Sequence, residues 1–248
     1  LQPLKPYFWR VPTDNDEGGG NHSYASRWRK IGLDKYRIEN KRFETVKLSE
    51  KEFMIRSTNS LIFTGGKILH KTIYTIKANA SVSIETHLEV SEGMPPLARV
   101  GYYTSLLPQF DQIKWYGRGL QENYPDRKAS AFVGIYKGKV DEQHFPYIMP
   151  QENGNKADVR WFQLSSVDGY KMTIEADELL NINVQNYSDQ ALNESKTTHE
   201  LKRGDGTYLH IDHAIMGLGG DDSWSPRVHK EFLVDKKVYK YSFLLNLF

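Results

Sequence analysis

From Ser81 to Val90 polar and apolar residues alternate without a break, predicting a half-buried strand with Val82, Ile84, Leu88 and Val90 facing inward. Val238 to Leu247 alternates too, with Tyr239, Tyr241, Phe243, Leu245 and Leu247 on one face, and Leu180, Ile182 and Val184 form a third such face. Further β-rich runs lie near 53–57, 68–76, 98–106, 131–136, 159–164, 170–175, 208–216 and 228–234. Gly, Asn, Asp or Pro separate them, the spacing of a many-stranded antiparallel sandwich or barrel. Helical spacing is scarce. It predicts about three turns from His22 to Ile31 with Trp28 and Ile31 inward, and a short helix capped by Ser188 or Asp189 and running to Asn193.

Nothing divides the chain. Glu92-Gly93-Met94-Pro95-Pro96 reads as a turn between strands, and no internal repeat or low-complexity tract is present. The expectation is one all-β domain over residues 1–248, a large two-sheet antiparallel sandwich with one or two short helices. Aromatic residues make up 12% of the chain, and wide sheets bury most such rings.

Charge excludes some partners. With 33 Lys and Arg against 31 Asp and Glu, the formal charge of +2 gives no basis for nucleic-acid or anionic-membrane binding. Arg27-Trp28-Arg29-Lys30 reads as a solvated helix face. No apolar run approaches the ~20 residues of a membrane helix. The absence of cysteine rules out disulfides and thiolate metal sites, but suits a reducing and an oxidising compartment alike. A chain opening Leu1-Gln2-Pro3, with no initiator Met, reads as a segment of something longer or as a processed product.

Loop chemistry is concentrated in a few stretches. Gly219-Gly220-Asp221-Asp222-Ser223-Trp224-Ser225-Pro226 sets one indole among short polar groups on a flexible backbone. Such a ring is either a platform for the C–H face of a sugar or a plug folded back into a sandwich end. Arg10 to Gly20 is acidic and glycine-rich, but the calcium-loop register fails at Gly18 and Ala25, which leaves a polar corner where Arg10 pairs with Asp14 or Asp16. Gly117-Arg118-Gly119 lacks the third glycine of a nucleotide loop and reads as the start of a polar loop stitched by Glu122, Asn123, Asp126 and Arg127. Gln151-Glu152-Asn153 repeats that chemistry and reads as a network satisfying buried loop backbone. The His residues are scattered without zinc spacing, and no serine-hydrolase elbow exists. Asp221 and Asp222 are adjacent, so their side chains diverge, and no acid/nucleophile pair stands out.

Taken together, these stretches resemble a family. Phe8-Trp9-Arg10-Val11-Pro12-Thr13-Asp14-Asn15-Asp16 is similar to the opening motif of the C-terminal domain of family 2 β-galactosidases, the β-galactosidase small chain. Gln121 to Arg127, Pro146-Tyr147 with Pro150 to Gly154, and Met216 to Pro226 resemble its later blocks, in the same order and over nearly the whole chain. Val11 departs from the family's usual Ala, and the 93–98 turn differs in detail. The resemblance implies a supersandwich like that of galactose mutarotases. It also implies a multi-domain hydrolase of terminal β-D-galactosides, acting with retention, whose two glutamates lie on a barrel outside this segment. No catalytic residue and no metal is then expected here, and any cation of the full enzyme is bound elsewhere. The site residue carried over is Trp224, stacking on the non-galactosyl sugar, with Asp222 and Ser223 as weaker candidates. The implied partners are a galactoside, the barrel domain and a homo-oligomer of the full enzyme. The rival readings are a stand-alone carbohydrate-binding module and, by fold analogy alone, an aldose mutarotase.

Overall fold

The computed structural model describes residues 2–222, 224–225 and 227–247. The strands are β1 (Gln2–Tyr7), β2 (Arg37–Ser49), β3 (Glu52–Phe63), β4 (Gly66–Lys77), β5 (Ser81–Val90), β6 (Arg99–Leu106), β7 (Phe110–Gly119), β8 (Phe132–Lys139), β9 (Lys156–Ser166), β10 (Lys171–Gln185), β11 (Thr207–Ile215) and β12 (Val238–Leu247). Three short α-helices interrupt them, α1 (Asp14–Glu17), α2 (Tyr24–Ile31) and α3 (Asp189–Glu194). The expected all-β class holds. The predicted helix from His22 begins instead at Tyr24, because the Ser23 hydroxyl caps it by accepting from the Ser26 N–H. Ser188 caps α3 in the same way.

The two expected sheets are arms of one. Hydrogen bonding runs β1-β6-β11-β10-β12-β5-β4-β3-β2, and a branch adds β9, β7 and β8 through β10. Every pairing from β10 is antiparallel, and its two halves hold different neighbours: Met172–Ala176 pair with β12, while Asn181–Gln185 pair with β11. The arms then close face to face. Tyr102 of β6 sets its hydroxyl 2.7 Å from that of Thr86 on β5, and its ring lies edge-on to Tyr241 and Phe243 of β12. Tyr102, Tyr241 and Phe243, with Ile84, Leu88 and Ile68, belong to the core, at 25–30 cal/mol per Å² of apolar surface removed from water.

Several strand expectations need correction. The run near 228–234 is a 3₁₀ turn at Lys230–Phe232 followed by a single bridge from Val234 to Leu97. Strands β1, β2 and β7 were not foreseen. In β12 the inward face ends at Leu245, since Leu247 is exposed and Asn246 is buried. Around Leu180, Ile182 and Val184 the intervening Asn181, Asn183 and Gln185 are buried too, because a polar loop network covers their face of β10.

Candidate functional site

The four motif blocks, scattered from residue 8 to residue 225, meet at one rim of the sandwich. Arg10 is the first tie. It is wholly buried, grips Asp16 with two nitrogens at 2.9 and 2.7 Å, and donates to the carbonyls of Met216 and Gly217. Sequence left Asp14 and Asp16 open as its partner. Asp16 takes the role because it is also the acceptor in the capping box that starts α1, from the Thr13 N–H at 2.9 Å. Burial opposes the Arg10 charge, but Asp16 outweighs it and holds the guanidinium above its ordinary pKa.

Further ties join the first block to the third and the second block to the third. The Gln151 amide oxygen accepts from the Asp14 N–H, and its nitrogen donates to Asp14 Oδ2, both at 3.2 Å. The Glu152 N–H donates to the Val11 carbonyl. Glu122 pairs with Arg127, accepts the Tyr147 hydroxyl at 2.5 Å, and accepts the Gly154 N–H at 2.8 Å. Asn123 and Asn155 exchange backbone and side-chain bonds. The expected stitching is present through Glu122, Asn123 and Arg127, whereas Asp126 bonds to Gly219 outside the loop, and Gly117 to Gly119 belong to β7 rather than to the loop.

Beneath the rim lies a second ionic cluster that sequence reasoning missed. Arg99, at 0% exposure, bridges Glu152 and Asp212, and Glu152 also accepts from the Asn183 amide at 2.9 Å. Burial, partly offset by Arg99, pushes Asp212 up to about 6. This cluster joins the third block to β6, β10 and β11. Arg99 opens a strand and gave no local signal beyond being a charge within an apolar run.

The Trp224 loop stands on this base. Asn15 Nδ2 donates to the Leu218 carbonyl, and the Gly219 N–H donates to Asp126 Oδ2 at 2.8 Å. Gly219 and Gly220 take φ of +70° and +110°, and a Cβ on Gly219 would sit 2.6 Å from the Arg227 carbonyl oxygen. Asp222 Oδ1 accepts the N–H groups of Trp224 and Ser225, while Oδ2 accepts the Ser225 hydroxyl. The Ser225 hydroxyl is the leading cause of the depressed Asp222 pKa. Asp222 thus spends its acceptors shaping the loop, while Asp221 turns away to His229 at 2.7 Å. Trp224 itself is 74% exposed, so the indole does not plug the sandwich. Ser223 lies outside the described residues.

Exposed apolar side chains sit within and beside the second and third blocks, at Leu120, Phe145, Ile148 and Met149. Leu120 and Phe145 line one depression together. Among the described residues no three His, Cys, Asp or Glu side chains gather as metal ligands, and no helix is long and apolar enough to cross a membrane.

Comparison with known proteins places these features. The chain is similar to the β-galactosidase of Vibrio cholerae, at 35% identity over 99% of this chain and 24% of that protein. The β-galactosidases of Pseudoalteromonas haloplanktis and Priestia megaterium are similar at 32% and 34% identity. The chain spans about a quarter of the length of these relatives. Among solved structures it is similar to a galactose mutarotase-like protein from Lactobacillus casei, with TM-score 0.31 and 10% identity over 99% of this chain and 84% of that one. A GalM/aldose epimerase homologue from C. elegans gives a TM-score of 0.39 at 8% identity, over 83% of this chain and 68% of that one. Residues 1–245 match the family described as the β-galactosidase small chain, and the chain belongs to that family.

Proposed function

We propose that residues 1–248 form one C-terminal domain of a β-galactosidase that hydrolyses terminal β-D-galactosides with retention. In this reading the rim docks on a catalytic barrel carried elsewhere in the enzyme, and Trp224 reaches across the junction to line the aglycone side of the substrate pocket. The supporting observation is an indole held 74% exposed on a loop that the first and second motif blocks anchor. A large ring kept in water costs apolar contact, and the anchoring fixes where a sugar face would meet it. Leu120, Phe145, Ile148 and Met149 supply the apolar surface for the barrel, and relatives about four times longer supply its source. Asp222 acts by positioning the loop.

The chain alone carries no acid/nucleophile pair in this proposal, so the purified segment is expected not to hydrolyse galactosides. In the full enzyme Trp224→Ala is expected to weaken aglycone binding by about 1–3 kcal/mol while leaving folding unchanged. Steady-state kinetics on lactose and galactosyl transfer to glucose read this. An unchanged KM and unchanged acceptor preference would remove Trp224 from the pocket.

A further inference from the structure

A cavity of about 550 Å³ opens between β1, β6, β11, α3 and the loop that follows α2. Of the motif blocks only the buried Trp9 touches it, as part of its back wall. Its size falls within the range of ordinary small-molecule sites. Three tyrosines from neighbouring strands, each at most 9% exposed, back it. Tyr7 and Tyr103 stack at 5.0 Å, and Tyr103 and Tyr208 lie nearly parallel at 6.3 Å. Asp189, 8% exposed, is fixed at the wall by the Tyr7 hydroxyl at 2.8 Å and by His210 Nε2 at 3.0 Å. Each of its oxygens retains acceptor capacity beyond those bonds. The exposed amides of Gln190 and Asn193 stand at the mouth.

The wall selects by charge as well as by shape. Lys5 and Lys35 line it together with Asp34, Asp189 and Glu194. An anion such as phosphate would meet three carboxylates. An ammonium ligand would meet Lys5, whose Nζ already stands 5.7 and 5.3 Å from the Tyr7 and Tyr103 ring centroids. A neutral ligand carrying many hydroxyls avoids both conflicts. Its O–H groups can donate to Asp189 and exchange bonds with the amides. We infer that this cavity is a second carbohydrate site, separate from the Trp224 loop, that takes a neutral mono- or disaccharide. Nothing in the arrangement provides for bond cleavage, so its role is retention of sugar beside the domain.

NMR titration of the chain tests this, with D-galactose, lactose, inorganic phosphate and tetramethylammonium as probes and the side-chain amide signals of Gln190 and Asn193 as the readout. The expected result is a saturable shift with at least one of the two sugars and none with the ions. Binding is expected to persist in Trp224→Ala and to weaken at least about tenfold in both Asn193→Trp, which closes the mouth, and Gln190→Ala. Both substitutions lie on the exposed face of α3 and leave the core untouched. Absence of a sugar shift, an ion binding in place of sugar, or binding lost in Trp224→Ala yet intact in the two α3 variants would each overturn the assignment. Because the Trp224→Ala arm is independent, the pocket-lining role of Trp224 can fail while this site stands, and the reverse.

Discussion

At the rim, Arg10, Arg99 and Glu152 are out of water in or beside irregular chain. In the arm formed by β2, β3 and β4 the backbone is regular and many side chains stand in solvent. The rim is held by directional bonds to particular atoms, so it tolerates little substitution. The arm is held by its ladder, with the cross-strand register from Phe43–Ser57 to Val46–Met54 running without interruption. The molecule thus places its chemical specificity where the backbone is least regular. It spends its repetitive structure on a scaffold that carries the loops.

The sharpest way to break this contrast is Arg10→Ala. It strands a buried Asp16 carboxylate and two carbonyls together, and removing one partner of a buried pair costs about 3–5 kcal/mol. That is a large fraction of a typical 5–15 kcal/mol total. Urea denaturation should show the loss, and Arg10→Lys, which keeps the charge without the fork, should recover only part of it. A loss under 1 kcal/mol would mean that the rim is not organised around this residue.

A second test lies where the arm enters the core. His70 of β4 is 2% exposed, with its ring 3.3 Å from the hydroxyls of Thr72 and Tyr102. Burial pulls its pKa from 6.5 to about 4. The folded value lies below the unfolded one, so the neutral ring's contribution is complete above 6.5 and drains away as pH falls toward 4. Between pH 7 and pH 5 it accounts for roughly 2 kcal/mol. Asp212, raised to about 6 at the rim cluster, acts in the opposite sense, because protonation relieves its burial. Urea midpoints across this window should therefore fall less steeply in His70→Gln than in the parent chain. An identical slope would show that His70 titrates in the fold as it does in the unfolded chain.

The same division decides what could be read from sequence. Strand β5 was legible because one face is buried, and Ile84, Thr86, Leu88 and Val90 print the period directly. Strand β2 was not, because nearly every side chain of it is exposed and no face imposes a pattern. Strand β7 hid because Gly117 and Gly119 occupy buried positions that would otherwise show as apolar. Edge strand β1 carries two prolines, which mask strand character. The rim blocks stood out as polar, glycine-bearing stretches, and their family resemblance told where they belong. Their convergence could not be read, since Arg10 and Gly217 are 207 residues apart and only the fold brings them together. Arg99, the tie beneath the rim, carried no motif at all.

The smallest expected effect belongs to the arm's outer edge. Phe43 of β2 is 72% exposed and stands in register with Ser57 of β3. Its row continues inward through Thr72 and Thr86 to Tyr241, each of which is buried. The same face therefore passes from core to solvent across the arm, and Phe43 has no neighbour on its outer side. Phe43→Ala should change stability by less than about 0.5 kcal/mol, as surface substitutions do. The measurement is a urea midpoint taken at two protein concentrations. A larger loss that grows with concentration would mean that this edge is covered by a second copy of the chain. The arm would then belong, like the rim, to the surfaces through which the domain meets its neighbours.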